Sequence, residues 1–332
     1  MKPIKVKILG TGKYLPKQAV TAQELDIKLG CSPGWVAKKS GVDVRYFVTD
    51  ETASYMGAQA VTDAVAAAGL TMKDIDCIVC ASAIFEQPIP ATAVLIQREL
   101  GLQWSGIPSF DINATCLSFL VGLDTMSCLI AAGKYRHVVL VSTEVASAGI
   151  NWEQLESSIL FGDGAAAVVL GPSNDGEASG ILSSRIETYS AGADFSEIRG
   201  GGTRFPPRHY NERTRSEYLF DMDGHKIFKM VSKLLPDFME RLMGPTQSRI
   251  KDFHRVIPHQ GSAMAMRLLQ KKLGITDTQL LNIIADYGNT ISASIPLALH
   301  EGISRGEIHR GDRLAIIGMA AGVSLGGMIL DY

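Results

Sequence analysis

The same order of apolar strands and helices occurs twice along the 332-residue chain, and this repetition limits the possible folds more than any other feature. The strand pattern "RHVVLVSTE" at 136–144 recurs as "DRLAIIGMA" at 312–320. Similarly, "DIDCIVCAS" at 74–82 recurs as "FHRVIPHQG" at 253–261. The two pairs are separated by almost the same distance along the chain, and the residue identity within each pair is slight. A near-constant offset of this kind is typical of an internal duplication.

Apolar strand patterns alternate with helical ones throughout, which predicts an α/β fold whose sheets are covered on both faces. We expect an N-terminal half at residues 1–171 and a C-terminal half at residues 172–332. The segment from about 172 to 220 is rich in glycine, proline and charge, and it predicts loops. Such loops either cover a site or form an ordinary surface excursion.

Charge and hydropathy exclude two broad classes of protein. The net charge is −2 and no long basic run occurs, so we expect no nucleic-acid partner. Residues Leu314–Leu330 run for 17 positions without a charge but include four glycines. A membrane-spanning helix needs about 20 apolar residues. This segment therefore predicts a strand, a glycine-rich turn and a second strand, with no membrane span.

The five cysteines predict free thiols. Their number is odd, their spacing is irregular and "MKPIKVKILGTG" lacks the pattern of a secretion signal, so we expect a cytoplasmic protein. Cys77 and Cys80 form a C-x-x-C pair that suits either zinc binding or a buried strand. Because no second cysteine pair completes a tetrahedral site, the buried strand is favoured and we predict no metal.

Cys116 lies where the polar turn "DINAT" gives way to an almost wholly apolar helix. If Asn113 or Thr115 caps this helix, the sulfur lies at its amino-terminal end. The thiol pKa would then fall and the thiolate would be stabilised. Taken alone, a cysteine that begins a core helix is more often a packing residue.

Two further polar residues accompany this cysteine. His259 follows a proline at the end of an apolar strand in "VIPHQGS", where it suits either a general base or a neutral hydrogen-bond donor. Asn289 in "DYGNTISASIP" offers an amide donor, although "YGNT" alone is a turn with a helix cap. The offset carries Cys116 onto residue 292, so all three residues are expected near one junction of the two halves.

"DINATC", "PHQ" and "YGNT" followed by "SASIP", in that order, resemble the Cys–His–Asn triad of β-ketoacyl-acyl-carrier-protein synthase III in the thiolase superfamily. The resemblance covers essentially the whole chain and includes "GTGKYLP", "SPGWVAKKSGV", "FGDGAA" and "DMDGHKIFK". It implies a thiolase-like fold, with duplicated halves in a five-layer αβαβα arrangement, and a homodimer.

The resemblance also implies a reaction. Cys116 would accept an acyl group from coenzyme A, and malonyl-acyl-carrier protein would then lose carbon dioxide and attack the acyl-enzyme. His259 and Asn289 would stabilise the enolate oxyanion. The backbone N–H groups of Cys116 and Ala321 would hold the thioester oxyanion. Acyl-coenzyme A is a substrate in this scheme, and no cofactor is required.

Substrate contacts follow from the same resemblance. Trp35 would stack on the adenine of coenzyme A, and Lys39 replaces a nearby arginine. Leu155 and Ser262 replace an arginine and an asparagine, whereas Leu117 and Ser118, after the cysteine, are expected to alter the acyl pocket. The remaining residues expected at the substrate are Ile89, at a position that reaches across the dimer interface, Met222 and Phe228.

The basic helix face formed by Arg267, Lys271 and Lys272 suits an acidic carrier protein, or is simply a solvated face.

Other relatives in the superfamily fit less well. A degradative thiolase needs a second cysteine that "GMAAGVS" lacks, and an elongating ketosynthase has a second histidine where Asn289 stands. A head-to-head condensing enzyme takes a glutamate from its partner at the position of Ile89, although Glu86 is close. The runner-up is a family member of specialised metabolism that condenses or transfers an unusual acyl group. A non-catalytic subunit has no need for Cys116, His259 and Asn289 together.

Overall fold

The computed structural model describes residues 3–332, so Met1 and Lys2 at the start of the predicted N-terminal half lie outside the described residues. The strands are β1 Val6–Tyr14, β2 Gln18–Thr21, β3 Val44–Phe47, β4 Cys77–Cys80, β5 Ser109–Asp111, β6 Val138–Glu144, β7 Gly164–Pro172, β8 Gly180–Thr188, β9 Ser196–Glu197, β10 Asp221–Met222, β11 Arg255–Pro258, β12 Arg313–Ala320 and β13 Ser324–Asp331. The helices are α1 Ala22–Lys28, α2 Trp35–Ser40, α3 Ala53–Ala67, α4 Thr92–Glu99, α5 Ser118–Ala131, α6 Leu155–Ser158, α7 Gly224–Met243, α8 Ala263–Leu273, α9 Ile284–Tyr287 and α10 Ser294–Ser304.

Two mixed sheets have the same strand order. The first is β1-β7-β6-β4-β5 and the second is β8-β13-β12-β11. A parallel bridge between Val256 and Leu280 occupies the place next to β11 that β5 takes next to β4. In both sheets the first two pairings are antiparallel and the next is parallel. The predicted α/β fold with duplicated halves is confirmed.

Alternating side chains explain the layers, because successive strand residues point to opposite faces of a sheet. On β6, Val138 and Leu140 pack on the central helices α5 and α10. Val139 and Val141 pack on the outer helices α3 and α4. The inner face of the second sheet covers the other side of α5 and α10, and its outer face packs against α7 and α8. The predicted five-layer αβαβα arrangement is therefore confirmed.

The duplication extends to single residues. Helix α5 begins at Ser118 and α10 begins at Ser294, and the same separation relates the two strand patterns that begin at positions 136 and 312. It also relates Thr115, with φ of 52°, to Ile291, with φ of 50°. A β-branched residue in this left-handed region is uncommon, so the matched pair indicates that each half contains the same sharp turn before its central helix. The division at residues 171 and 172 remains a prediction.

Residues 314–330 form most of β12 and β13 with a turn between them, so the predicted strand pair is confirmed. Within residues 3–332, no helix combines the length and apolar character needed to cross a membrane. Cys77 and Cys80 lie in the fully buried β4, as the strand pattern predicts. Burial raises the pKa of the Cys77 thiol to about 11 and that of Cys80 further.

The segment between the halves is not entirely loop. Strand β8, residues 180–188, lies within it and pairs with β13 at the edge of the second sheet. The remainder consists of turns, three short 3₁₀ helices and the short strand β9, which pairs with β10. Arg199 joins this part of the chain through contacts with the carboxylates of Glu197, Glu217 and Asp221. These contacts hold the segment together, and the Phe220 N–H at its end donates to the Gly149 carbonyl of the first half at 2.9 Å.

Candidate active site

Cys116 lies in the sharp turn that precedes α5. The turn is held by the Leu117 N–H, which donates to the Ala114 carbonyl over 3.1 Å. Ser118 Oγ also accepts from the Ala114 N–H at 2.9 Å and donates to the Thr115 carbonyl at 2.7 Å. Ser118 therefore closes the turn that presents the cysteine.

Leu117 is fully buried and lies against the second sheet, where a side chain on Gly318 or Gly326 would meet it. The structure therefore places this leucine in the core behind the cysteine, whereas the sequence predicts that it alters the acyl pocket. The two glycines leave the space that a leucine beside the nucleophile requires.

The predicted capping of α5 is wrong. The cap residue is Leu117, without a side-chain hydrogen bond. Asn113 Oδ1 instead accepts from the Thr115 N–H at 2.9 Å, and Asn113 Nδ2 donates to the Ala83 carbonyl at 2.8 Å. Asn113 therefore fixes the turn and the neighbouring 81–84 loop, not the helix end.

The predicted low pKa of Cys116 is also wrong. Burial raises the pKa of its thiol to about 12, and the nearby Glu144 carboxylate adds to the rise. The backbone N–H groups of Cys116 and Ala321 are directed at the sulfur and lower the pKa, but burial outweighs them. The sulfur is therefore a thiol at neutral pH. Its two N–H neighbours are those expected from the sequence.

His259 follows β11, and its backbone N–H donates to the Ile317 carbonyl at 2.8 Å. Its ring Nδ1 lies 2.7 Å from Ser294 Oγ, the first residue of α10. Burial lowers the pKa of the imidazole to about 4, so the ring is neutral at pH 7. Because the neutral ring is held through Nδ1, its Nε2 is left to meet a substrate. This arrangement suits a hydrogen-bond donor better than a base.

Hydrogen bonds at the backbone N–H, at the backbone carbonyl and at the side chain hold Asn289 in place. Its N–H donates to the Leu160 carbonyl at 2.8 Å, and its carbonyl accepts from the Gly162 N–H at 3.1 Å. Asn289 Oδ1 accepts from the Ile291 N–H at 2.9 Å. Because the oxygen is committed, the amide nitrogen is the end of the side chain left to meet a substrate.

One short segment, residues 289–294, connects the three predicted residues. Asn289 begins it, and Ser294 at its end contacts His259. Between them, Ile291 belongs to an apolar group that also contacts Cys116. This group, the Cys116 cluster, has four buried members and six partly buried ones: Ala146, Ile150, Phe161 and Ile291, then Phe47, Ala83, Ile84, Cys116, Trp152 and Phe220. The 289–294 segment thus links the asparagine to the histidine and to the cluster on which the cysteine packs.

A buried carboxylate contacts the same segment. Glu144 accepts from the Ala83 N–H at 2.6 Å, from the Ile84 N–H at 3.1 Å and from the Ser292 hydroxyl. Burial raises the pKa of this carboxyl to about 7 despite those three donors. Ser292 is the residue that the duplication pairs with Cys116. Glu144 therefore joins the turn of the second half to the 81–84 loop of the first.

Trp35 begins α2 and is half-buried in a small apolar group with Trp152. Trp152 also packs on the Cys116 cluster, so apolar side chains run from Trp35 towards the cysteine. Lys28 Nζ lies 3.4 Å from the centre of the Trp152 ring. Lys39 is exposed on the last turn of α2, and Leu155 is exposed at the start of α6. Coenzyme A contacts at these residues remain a prediction.

The other predicted substrate residues are spread more widely. Ile89 is 84% exposed, and Phe228 is 46% exposed on α7. The Met222 N–H donates to Gln154 Oε1, and the Met222 carbonyl accepts from Gln154 Nε2. Ser262 Oγ caps α8 by accepting the Ala265 N–H at 3.1 Å, and Glu86 accepts from the Ser54 N–H at 2.6 Å.

The basic residues Arg267, Lys271 and Lys272 are exposed on α8. Lys272 Nζ also donates to the Ser232 carbonyl of α7.

Three residues of this site were not singled out from the sequence: Glu144, Trp152 and Ser294. Trp152 had a usable signal, because it is one of three tryptophans in the chain. Ser294 lies within the quoted motif "SASIP", but its contact with His259 depends on how α10 packs against β11. Glu144 closes an apolar strand, and nothing in the local pattern indicates that it is buried.

Sequence and structure comparisons agree with this arrangement. Residues 110–190 match the profile "3-Oxoacyl-[acyl-carrier-protein (ACP)] synthase III", and residues 245–332 match its C-terminal counterpart. The chain is 32% identical over 326 residues to β-ketoacyl-[acyl-carrier-protein] synthase III of Clostridium perfringens, covering 98% of both chains.

Solved structures give the same result. The 3-oxoacyl-[acyl-carrier-protein] synthase III of Aquifex aeolicus superposes with a TM-score of 0.87 at 30% identity, covering 98% of this chain and 100% of that one. The priming β-ketosynthase of the R1128 polyketide pathway superposes with a TM-score of 0.89 at 26% identity, covering 98% and 96%.

The fold and these similarities define a thiolase-like condensing enzyme, an acyltransferase. More narrowly, the chain belongs to the β-ketoacyl-acyl-carrier-protein synthase III family.

Proposed function

We propose that this protein condenses an acyl-coenzyme A with malonyl-acyl-carrier protein, with loss of carbon dioxide, to give a 3-oxoacyl-acyl-carrier protein. The observation that carries the proposal is the 289–294 segment. It joins Asn289 to the Cys116 cluster through Ile291 and to His259 through Ser294. Relatives named β-ketoacyl-acyl-carrier-protein synthase III support this reaction type.

In the first half-reaction, Cys116 Sγ attacks the thioester carbonyl of the acyl-coenzyme A. The sulfur is a thiol at rest, so its proton leaves as the carbon–sulfur bond forms and ends on the departing coenzyme A sulfur. The tetrahedral oxyanion is stabilised by the backbone N–H groups of Cys116 and Ala321. These are preorganised donors that already point at the sulfur.

In the second half-reaction, the carbon–carbon bond to the malonyl carboxylate breaks and its electron pair forms an enolate. His259 Nε2 and Asn289 Nδ2 donate to the enolate oxygen, and neither residue takes up a charge. The enolate carbon then attacks the acyl-Cys116 carbonyl, and the cysteine sulfur leaves as a thiolate, which takes a proton from water to restore the thiol. The low pKa of His259 supports this donor role, because the ring remains neutral across the physiological range.

The proposed partners are the acidic carrier protein, at Arg267, Lys271 and Lys272, and a second copy of the chain. Ile89 and Phe85 lie near each other in the chain and are 84% and 51% exposed, and such apolar exposure suits a covered interface. Sedimentation of the wild type and of Ile89→Asp measures the assembly. We expect a dimer that the aspartate weakens, and a monomeric wild type would contradict this part of the proposal.

Mass spectrometry of the intact protein after incubation with a panel of acyl-coenzyme A thioesters tests the chemistry. We expect one acyl adduct in the wild type and in Cys128→Ala, which removes an exposed thiol, and none in Cys116→Ala. Addition of malonyl-carrier protein should then remove the adduct and yield the 3-oxoacyl product. An adduct that survives in Cys116→Ala would refute the mechanism.

A second candidate is an enzyme of specialised metabolism that condenses or transfers an unusual acyl group. Two points favour it: the resemblance places Leu155 where the family has an arginine, and Ser262 uses its hydroxyl to cap α8. Similarity to a polyketide priming ketosynthase also fits. The same adduct panel separates the two candidates, because this reading predicts little acylation by simple straight-chain thioesters and a strong preference for another acyl class.

A further inference from the structure

Ile291 combines an unfavourable backbone conformation with a buried place in the Cys116 cluster. Its φ is 50°, a left-handed conformation that costs an L-residue about 1–2 kcal/mol. A β-branched side chain is least suited to it. Strain of this kind persists at functional sites only where the surroundings enforce it. The question is therefore whether the backbone or the side chain accounts for isoleucine at this position.

The backbone explains the angle but not the residue. Residues Ile291–Ala293 form a 3₁₀ turn, and the same positive φ at Thr115 in the first half indicates that the angle belongs to the turn that both halves share. Glycine would adopt the same angle without strain. Thr115 is in the matching conformation in the first half, but its hydroxyl bonds the Ala114 carbonyl. Ile291 has no polar atom in its side chain, so only its packing can account for it.

The packing places that side chain in the apolar cluster against which the nucleophile lies. Ile291 is 9% exposed, and it belongs to the apolar cluster against which Cys116 lies. Phe161 and Phe220, whose rings meet edge to face at 5.1 Å, belong to the same cluster. An acyl chain attached to the sulfur has to occupy or displace this apolar surface. Four side-chain carbons at residue 291 therefore take space that acyl carbons would otherwise use.

We propose that Ile291 sets the upper limit on the length of the acyl chain that Cys116 accepts. This inference rests on the proposed function, since it assigns a specificity-determining residue to the same acyl-enzyme. A pocket wall discriminates by about 10- to 200-fold for each extra methylene that it excludes. Shortening residue 291 should therefore raise the relative rate of longer acyl-coenzyme A thioesters at least about 10-fold.

The test measures self-acylation with a series of straight-chain acyl-coenzyme A thioesters from two to sixteen carbons. The variants are Ile291→Ala and Ile291→Gly. The control is Gln247→Gly, which relieves the same left-handed strain, with φ of 53°, at an exposed position outside the Cys116 cluster. We expect both Ile291 variants to shift towards longer chains and the control to keep the wild-type profile.

Each result has one interpretation. An unchanged length profile in a folded Ile291→Ala protein that still acylates Cys116 would overturn this inference and leave the proposed function standing. A shift in Gln247→Gly as large as that in Ile291→Gly would overturn it too, since strain relief would then be the cause. A wild type that no thioester acylates would overturn the proposed function. If Ile291→Gly unfolds, the alanine variant alone gives the answer.

Discussion

His259 Nδ1 lies 2.7 Å from Ser294 Oγ, and this contact joins the strand that ends at the histidine to the first residue of α10. The Gln260 N–H also points at Ser294 Oγ, over 3.3 Å. Because the serine oxygen accepts from that N–H, its own proton is available to Nδ1. The ring proton then belongs on Nε2, which is the tautomer that can donate to an enolate oxygen.

We predict that Ser294→Ala slows decarboxylative condensation by about 10- to 100-fold, because the tautomer and the ring orientation are no longer fixed. Self-acylation of Cys116 should change much less. The control is Ser127→Ala, which removes a buried hydroxyl that has no hydrogen-bond partner within residues 3–332. Equal losses in both half-reactions would contradict the positioning role of Ser294.

Asn289→Ala should separate the two half-reactions more sharply. The variant lacks the amide donor for the enolate, so it should still form the acyl-enzyme but fail to decarboxylate malonyl-carrier protein. Removing one such donor lowers a rate by about 100- to 1,000-fold in other enzymes. Carbon dioxide release and intact mass measure the two steps separately. Parallel loss of both steps would remove the role proposed for Asn289.

The thiol of Cys116 should react with iodoacetamide slowly at neutral pH. Burial raises the pKa of this thiol to about 12, so the thiolate fraction, and with it the alkylation rate, should keep rising from pH 7 to pH 10. A Cys128→Ser background removes the exposed thiol, and circular dichroism checks folding at each pH. A rate that levels off below pH 9 would indicate a stabilised thiolate instead.

Glu144 should make stability depend on pH. The pKa of its carboxyl is about 7 in the folded chain and near 4.5 when unfolded, so between these values the folded state binds more protons. The free energy of unfolding contributed by Glu144 is then lost as pH rises from about 4.5 to 7, by about 3 kcal/mol. Urea unfolding of the wild type and Glu144→Gln across this range measures the difference.

Ser292→Ala provides the cross-check for Glu144. The serine hydroxyl donates to this carboxylate and lowers its pKa, so its removal should extend the pH-sensitive range upward. If the wild type and Glu144→Gln differ by a constant amount from pH 4.5 to 7, Glu144 does not titrate there.

The fold was predictable because hydrophobic patterns record which faces are buried, and the same pattern occurs twice. The offset read from the strand patterns at 136–144 and 312–320 also relates the start of α5 to that of α10. His259 and Asn289 could be predicted from the sequence for a similar reason. Each lies in a short polar motif that follows an apolar segment.

The pKa of Cys116 and the position of Leu117 could not be predicted, because they depend on contacts between segments far apart in the chain. The sequence predicts a low pKa for Cys116 from its place at a helix end, but burial by both halves raises it to about 12. The position of Leu117 depends on Gly318 and Gly326, which lie in the other half of the chain and leave room for it. No local pattern contains either fact.

Gly288 controls the placement of Asn289. Its φ is 67°, and a Cβ there would lie 2.7 Å from the Leu160 carbonyl oxygen, the atom that accepts the Asn289 N–H. Gly288→Ala should therefore displace the amide and lower condensation by about 10-fold or more, because small misplacements of a catalytic group are costly. Gly274→Ala is the control for a methyl group added at a positive φ, since Gly274 has φ of 69° with no atom within 4 Å of the added carbon. Gly274→Ala should lose about 1–2 kcal/mol in urea unfolding from its left-handed angle. Gly288→Ala should lose more, because the ψ of −163° at Gly288 belongs to a region that is essentially restricted to glycine. Only Gly288→Ala should lose condensation while still acylating Cys116, and equal activity in the two variants would contradict this placement role.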